Sequence, residues 1–430
     1  MEKLIKFFLL GYLLVFPFGQ LVRLPISFFG PEVRVYLGDI LVGLIVGMWR
    51  IGKIRDNRGK DRDNKGNRGR VERPILVFAG VATLSLVVNL PRLTFNEILV
   101  ASFYLFRWIV YAGLYFVVRD IIKLKTQNSK LWRNKTSLLD LLILAGGLAA
   151  IFGLIQYLWF PDLRDWLEVR NWDPHYYRAY GTFFDPGYFG AIMVLSLILV
   201  AGHLFSDRQK RSGLKFSIFN FQFSIDSRLI TYHLSLITSY LALALTYSRA
   251  SYLAFLVGMG VVAWKLKKRK FYAAIIGIFL LTLLLLPRPG GEGVKLEREE
   301  SIRARIINWK QSLTIAKRYP AFGVGFNAYR YFQRDYGFLD QEEWRESHAG
   351  AGADSSLLFV LATTGVIGFA AYLWLLKRIF DVSRCQADLS GWRLAALASL
   401  IALLVHSFFL NSLFYPWIMA WMWILLGGII

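Results

Sequence analysis

The sequence predicts an all-α, polytopic membrane protein with about twelve transmembrane helices and one long extracytoplasmic loop that carries short helices. Apolar runs of roughly 15–22 residues recur along the chain, and a helix of about this length crosses the hydrocarbon core of a bilayer. Clusters of Lys and Arg separate these runs, and 56% of the residues are hydrophobic. A soluble fold would have to bury all of those apolar faces at once.

The net charge of the chain is +22, and the membrane class explains it. Cytoplasmic loops of membrane proteins carry an excess of Lys and Arg. Because the sequence also has no nucleic-acid-binding motif, we predict no nucleic acid among its partners. The single cysteine, Cys385, excludes an intramolecular disulfide and a thiolate metal cluster.

The loops that connect the first six predicted spans alternate between basic inner loops and less basic outer loops. Lys3 and Lys6 place the N-terminus in the cytoplasm, and the first apolar run lacks a small-x-small cleavage pattern, so we interpret it as an uncleaved anchor. The basic loops Arg50–Arg73 and Arg119–Lys135 are predicted to be cytoplasmic. After the sixth span, Phe216–Ile225 alternates apolar and polar residues with the period of a β-strand. The six spans are predicted at about Lys3–Val22, Val33–Trp49, Pro74–Leu90, Ile98–Val118, Leu138–Phe160 and Pro186–Phe205.

The apolar stretch from Leu229 to Trp264 is too long for one span. As a single helix it would measure roughly 54 Å, against about 30 Å of hydrocarbon. The polar residues Thr246–Arg249 interrupt it, so we predict two helices that meet at Ser248-Arg249 on the outer face. The remaining spans are predicted at about Phe271–Leu286, Ser355–Leu376, Leu394–Leu410 and Leu413–Ile430, which leaves both termini in the cytoplasm.

Residues 1–430 are predicted to form a single membrane domain, with residues 288–353 as the extracytoplasmic loop between the ninth and tenth spans. In this loop, Leu296–Tyr319 has apolar residues at helical spacing and stops at Pro320. Gly323-Val324-Gly325 then turns the chain into the aromatic run Phe326–Tyr336. The apolar stripe consists of Ile302, Ile306, Trp309, Leu313 and Ala316, and Arg303, Arg305 and Lys310 lie off it.

Four arginines at the outer membrane surface are candidates for binding an anion. Arg249 lies at the turn between two spans, and a guanidinium group contacts two phosphate oxygens in a way that lysine does not. Arg178 precedes the sixth span at the same level, and Arg303 and Arg305 begin the loop helix. The alternatives are an interfacial arginine that reaches lipid headgroups or a solvated helix face. A fifth arginine, Arg107, lies so deep in the fourth span that it needs a polar partner or a wet cavity.

Two residues near the end of the loop are candidates for a general base. His348 is the loop's only histidine, and imidazole titrates near neutral pH. Asp354 stands where the chain re-enters the membrane, where desolvation raises the pKa of a carboxyl group. Alternatively, Asp354 or Ser355 caps the next span. The acidic cluster Asp340–Glu346 matches no metal-ligand spacing, and we predict neither a metal nor another cofactor.

At these residues the sequence resembles the O-antigen ligase and O-antigen polymerase family of bacterial multi-pass membrane proteins. The order, spacing and topology of four short stretches carry the resemblance, which covers about Pro161–Leu376. The four stretches are Tyr177–Phe183 before a span, Tyr247–Tyr252 at the start of another, Arg303–Gly325 in the long loop, and Ser355–Gly368.

The resemblance implies a membrane-embedded glycosyltransferase of the C type. Such enzymes transfer a glycan from a polyprenyl-pyrophosphate carrier to an acceptor hydroxyl at the outer face of the cytoplasmic membrane, without a metal. Outer-face arginines hold the pyrophosphate in this family, which assigns that role to Arg178, Arg249 and one of Arg303 and Arg305. The acceptor is a glycan, a lipid or a protein, and the motifs do not separate ligases from polymerases.

One departure from the family pattern concerns the base. The family usually has His-Asn just before the apolar run that ends in Gly-x-x-Gly, and here Asp354-Ser355 occupy that place. His348 lies six residues before Asp354. Both residues stay candidates, with the histidine preferred because the family usually employs one.

A flippase or transporter of lipid-linked glycans is the alternative functional class. A transporter should place paired ionisable residues or broken helices near the middle of the membrane. Arg107 is the only such residue that the sequence reveals.

Overall fold

The computed structural model describes residues 2–24, 33–56, 71–123, 135–162, 175–206, 216–218, 221–223, 227–290, 292–339, 344, 352–384 and 391–429. Within these ranges the fold is helical, apart from a short antiparallel hairpin of β1 (Phe216–Ile218) and β2 (Phe221–Phe223). The α-helices are α1 (Glu2–Val15), α2 (Leu37–Asp56), α3 (Glu72–Asn89), α4 (Phe95–Lys123), α5 (Lys135–Trp159), α6 (Pro186–Ser206), α7 (Ser227–Ala244), α8 (Arg249–Lys265), α9 (Arg269–Leu285), α10 (Glu300–Arg318), α11 (Tyr329–Asp335), α12 (Ser356–Arg384), α13 (Gly391–His406) and α14 (Pro416–Ile429).

The helices α1 to α9 and α12 to α14 lie where the twelve spans are predicted. Among the described residues, six helical segments are long and apolar enough to cross a membrane, and the others are shorter or less apolar. The count of twelve spans therefore stays a prediction. The six segments are Glu2–Leu21, Glu72–Arg92, Phe95–Ile122, Leu138–Trp159, Pro186–Leu204 and Ser356–Arg384.

Helix α6 forms the centre of the bundle. Its apolar segment is 89% buried inside the protein, and it packs against α5, α7, α8 and α13. Around it, α3 packs against α12 and α4 packs against α14. Outer helices instead expose large apolar side chains such as Leu76, Phe106 and Leu284, as expected for surfaces in contact with lipid.

The break between α7 and α8 lies where the polar interruption predicts it. Helix α7 ends at Ala244 and α8 begins at Arg249. Tyr247 has φ 49°, a left-handed conformation that does not continue a right-handed helix. Ser248 caps α8, since its Oγ accepts a hydrogen bond from the backbone N–H of Ser251 at 3.4 Å.

The loop after α10 docks onto a break in α12. At the break Gly365 has φ 65° and ψ −170°, and a Cβ at this position would lie 2.2 Å from the carbonyl oxygen of Ala321. Glycine is thus required both for the backbone conformation and for the close approach. The junction joins the stretches Arg303–Gly325 and Ser355–Gly368. Its hydrogen bonds include Val324 N to Ala362 O (3.0 Å), Gly325 N to Thr363 O (2.9 Å) and Val366 N to Pro320 O (2.8 Å).

The partner that Arg107 needs is Asp39. Nη2 of Arg107 donates to Asp39 Oδ2 at 2.8 Å and also to the carbonyl oxygen of Arg34. The hydroxyl of Tyr111 donates to Asp39 Oδ1 at 2.9 Å. The side chains of Arg107 and Asp39 are only 7% and 11% exposed, so this ion pair lies inside the bundle.

Replacing Asp39 with asparagine should lower the free energy of unfolding by about 1–3 kcal/mol, because the buried guanidinium group of Arg107 loses its counter-charge. Unfolding in mixed detergent micelles measures the effect. The control is Asp335→Asn, which removes an exposed ion pair with Arg334 (2.7 Å) that is worth at most about 1 kcal/mol. Equal stability changes in the two variants would contradict the prediction.

The lone cysteine tests the predicted topology. Cys385 lies outside the described residues, between α12 and α13, and basic residues on both sides predict a cytoplasmic position. A membrane-impermeant maleimide should leave Cys385 unlabelled in intact cells and label it after lysis. Labelling in intact cells would contradict the predicted orientation of the chain and the predicted outer position of the long loop.

Candidate functional site

A cavity of about 370 Å³ lies where the start of α8 meets α10. Its walls combine two guanidinium groups with apolar side chains, which is a composition suited to an amphiphilic anion. The lining residues are Arg249, Ala250, Leu253, Ile302, Arg305, Ile306, Trp309 and Phe409.

Arg249 is held in place by acceptors just before and at the start of α10. Its Nη1 donates to the carbonyl oxygens of Leu296 at 3.0 Å and Arg298 at 3.2 Å. Its Nη2 donates to the hydroxyl of Ser301. The charge at the cavity wall is therefore fixed in position, as stabilisation of a developing anion requires.

The structure separates the two candidate arginines of α10, Arg303 and Arg305. Ile302, Arg305, Ile306 and Trp309 line the cavity, as expected for residues three and four apart on one helix face. Arg305 is half-buried at the edge of the predicted apolar stripe, whereas Arg303 is exposed and does not line the cavity.

Of the predicted apolar stripe of α10, only Ala316 belongs to the face that packs into the protein. Ile302, Ile306 and Leu313 are 46%, 44% and 41% exposed. Trp309 is half-buried, and its Nε1 is buried without a hydrogen bond among the described residues. The buried face consists of Asn308, Ser312, Ile315 and Ala316.

Asp354 is attached to α10 through Asn308. The backbone N–H of Asp354 donates to Asn308 Oδ1 at 2.8 Å, and Asn308 Nδ2 donates to the carbonyl oxygen of Gly352 at 2.8 Å. Burial raises the pKa of Asp354 to about 6, while the positive charge of Arg305 lowers it and the negative charge of Asp185 raises it. The carboxyl group is therefore ionised at neutral pH and still basic enough to accept a proton.

Asp185 is a second carboxylate that acts electrostatically on Asp354, and no sequence motif assigns it a role. Its Oδ1 accepts hydrogen bonds from the backbone N–H groups of Gly187 at 2.7 Å and Tyr188 at 2.9 Å, which caps the start of α6. His175 Nε2 lies 3.9 Å from Asp185 Oδ2. Burial lowers the pKa of His175 well below its usual value, with Arg178 and Arg298 adding to the shift. An Asp-Pro pair at a helix start was the available signal for Asp185.

Arg178 does not line the cavity. Its side chain is buried at 5% exposure, and its Nε donates to the carbonyl oxygen of Thr246 at 2.8 Å. The backbone N–H of Ala179 donates to Leu245 O at 2.8 Å. The stretch Tyr177–Phe183 therefore supports the turn from which Arg249 projects.

His348 lies outside the described residues. The acidic cluster Asp340–Glu346 also lies outside them, apart from Trp344. The role predicted for His348 stays a prediction.

Comparison with known proteins gives one family. Residues 234–373 match the model of the family described as O-antigen ligase, and this segment includes Arg249, Arg305 and Asp354. The match supports assignment to the O-antigen ligase and polymerase family that the four stretches predict. Together with the apolar helices, it indicates a multi-pass protein of the inner membrane that acts in ligation or polymerisation of cell-surface polysaccharide. A search of curated proteins finds no match.

Proposed function

We propose that this protein, whose residues 234–373 match the O-antigen ligase family, transfers a glycan from a polyprenyl-pyrophosphate carrier to an acceptor hydroxyl at the outer face of the cytoplasmic membrane. The observation that carries the proposal is the cavity that combines Arg249 and Arg305 with an apolar wall. A polyprenyl pyrophosphate has an anionic head and a long apolar chain, and the cavity offers a complement to each.

In the proposed reaction, the acceptor oxygen attacks the anomeric carbon of the glycan as the bond from that carbon to the pyrophosphate oxygen breaks. The proton of the acceptor hydroxyl passes to a base, and the pyrophosphate leaves with the polyprenyl chain attached. Arg249 and Arg305 stabilise the negative charge that develops on the leaving group. The fixed position of Arg249 against Leu296, Arg298 and Ser301 favours this role, because preorganised charges need no rearrangement during the reaction.

Asp354 is the base that we propose. Its raised pKa of about 6 supports a proton affinity suited to neutral pH. Its electrostatic interaction with Arg305 supports a role in the same site as the arginines of the cavity. His348 is the competing candidate from the sequence. We assign Arg178 to supporting the turn before Arg249, and we place Arg303 outside the pyrophosphate site.

Transfer by the purified protein in liposomes tests the function. The donor is a synthetic oligosaccharide on a polyprenyl pyrophosphate, and the acceptors are a second carrier-linked repeat or a lipid-anchored core oligosaccharide. We expect a new glycosidic bond and free polyprenyl pyrophosphate in equal amounts by mass spectrometry. Longer carrier-linked chains would identify a polymerase, and glycosylated core would identify a ligase.

Transport of lipid-linked glycan is the second candidate function. The buried pair of Arg107 and Asp39 and the break in α12 at Gly365 are features that transporters place within the membrane. A fluorescent carrier-linked glycan in the same liposomes separates the two functions. Movement between leaflets with no change of mass, and no transfer to either acceptor, would overturn the proposed transferase.

A further inference from the structure

We propose that His406 is a positioning residue that fixes the starts of α6, α8 and α12 relative to one another. The inference rests on the proposed function, because these three helix starts adjoin Asp185, Arg249 and Asp354. His406 is the last residue of α13 and is fully buried, at 0% exposure. It lies outside the segment that matches the O-antigen ligase family.

The imidazole of His406 joins α13 to α8 and α6. Its Nε2 lies 3.2 Å from Ser251 Oγ, and its Nδ1 lies 2.6 Å from Ser412 Oγ. Ser251 Oγ lies in turn 3.2 Å from Gly187 O and 2.9 Å from Ser248 Oγ. One arrangement of hydrogens satisfies the chain for a neutral ring: Ser412 donates to Nδ1, Nε2–H donates to Ser251, and Ser251 donates to Gly187 O.

The turn that follows His406 holds the start of α12. The carbonyl oxygen of Ser407 accepts from the backbone N–H of Ser356 at 2.9 Å. The hydroxyl oxygen of Ser356 accepts from the backbone N–H of Leu413 at 3.1 Å. Ser356 follows Asp354 by two residues, so we call His406, Ser251, Ser356 and the turn 407–413 the His406 hub.

The position of His406 outside the cavity indicates that it acts indirectly. His406 does not line the cavity and its two ring nitrogens bond to serine hydroxyls, so it acts through other residues and not on the substrate. Transfer requires Arg249 at the leaving oxygen and a base at the attacking oxygen at the same time, and a misplacement of about 1 Å costs up to roughly 10²-fold in rate. Contacts with the segment just before α10 and with Ser301 at its start hold Arg249 separately, so loss of the hub should affect catalysis more than donor binding.

Substitutions in the hub test this role by transfer kinetics. His406→Leu should lower kcat by roughly 10–100-fold, with the donor KM within about threefold of the unaltered protein. His406→Gln, whose amide reaches the position of Nε2, should recover most of kcat. Ser251→Ala removes one hydroxyl and should lower kcat similarly, and the double variant with His406→Leu should lose little more.

The matched control is Ser399→Ala in α13, because Ser399 is buried and its hydroxyl has no hydrogen bond among the described residues. Its kcat should be unchanged. Unchanged kcat in both His406→Leu and Ser251→Ala would overturn the proposal. A loss in His406→Gln equal to that in His406→Leu, or a rise in KM with kcat preserved, would also overturn it.

A distance measurement tests the hub without transfer activity. Spin labels replace the exposed side chains of Leu253 in α8 and Phe408 in the turn (43% and 49% exposed), after Cys385→Ser. The distance distribution should be narrow with His406 or glutamine present and broader in His406→Leu. An unchanged distribution in His406→Leu would overturn the hub, whereas absence of transfer by the unaltered protein would reject only the proposed function.

Discussion

Replacing Asp354 with asparagine should lower the rate of glycan transfer by roughly 10²–10⁴-fold, which is the contribution of a positioned general base. Asparagine keeps the size of the side chain and the backbone hydrogen bond to Asn308 (2.8 Å), but it does not accept a proton. Binding of the carrier-linked donor should therefore survive. Single-turnover kinetics and a donor-binding assay on the same purified variant separate the two effects.

The pH dependence of the unaltered enzyme should follow the same carboxyl group. Burial raises the pKa of Asp354 to about 6, and below that pH the protonated carboxyl group does not act as a base. We therefore expect kcat/KM to fall about tenfold for each pH unit below 6. An ordinary histidine gives a similar profile, so the pH profile must be combined with the variants to distinguish Asp354 from His348.

Two further variants complete the assignment of the base. His348→Ala should retain transfer, and Asp335→Asn, a change at an exposed carboxylate, should behave as the unaltered enzyme does. An inactive His348→Ala with an active Asp354→Asn would move the base to His348. Full activity in both variants would remove the base from the mechanism and strengthen the transport alternative.

Replacing Arg249 with lysine should remove most of the transfer activity although the positive charge is kept. The guanidinium group donates to Leu296 O, Arg298 O and Ser301 Oγ, and the compact ammonium group of lysine does not reproduce this planar arrangement. Loss of a hydrogen bond to a charged group costs about 1.5–3 kcal/mol, which corresponds to roughly 10–100-fold in kcat/KM.

The control for this prediction is Arg303→Lys, because Arg303 is exposed and lies outside the cavity. It should keep near-normal kcat/KM, and both proteins should accumulate normally in the membrane. Near-normal transfer by Arg249→Lys would reduce Arg249 to a lipid-anchoring residue. Equal losses in both variants would mean that the pyrophosphate site is larger than the cavity described above.

The helices could be predicted because their signals are local. The length of an apolar run, the polar residues at Thr246–Arg249 and the proline at Pro320 each act on the residues beside them. The partner of Arg107 could not be predicted in this way, since Asp39 lies 68 residues away along the chain. No periodicity in the sequence connects the two positions.

The candidate site could be predicted only in part, because its residues come from segments that are distant along the chain. Arg303 and Arg305 lie on different faces of α10. The sequence does not show which of these faces lines the cavity, because that depends on where α8 and Phe409 meet α10. The face of α10 that packs inward contains Asn308 and Ser312, which the apolar pattern did not indicate. The role of His406 could not be predicted, because a single histidine at the end of an apolar run carries no signal until its neighbours in space are known.

The docking of the loop onto α12 implies an order of events during biogenesis. Gly365 follows the first residue of α12 by nine positions, which places the break about 14 Å along the helix. Until Pro320–Gly325 arrives there, the carbonyl groups of Ala362 and Thr363 lack the partners that the loop supplies, and unsatisfied backbone groups in hydrocarbon cost several kcal/mol each. With the loop on the outer face, as the pattern of basic residues predicts, we expect α12 to leave the insertion machinery with this break unsatisfied. The junction should then form only after the loop has been translocated and has folded back. A chain in which translocation of the loop is delayed would present this exposed break to membrane chaperones and proteases.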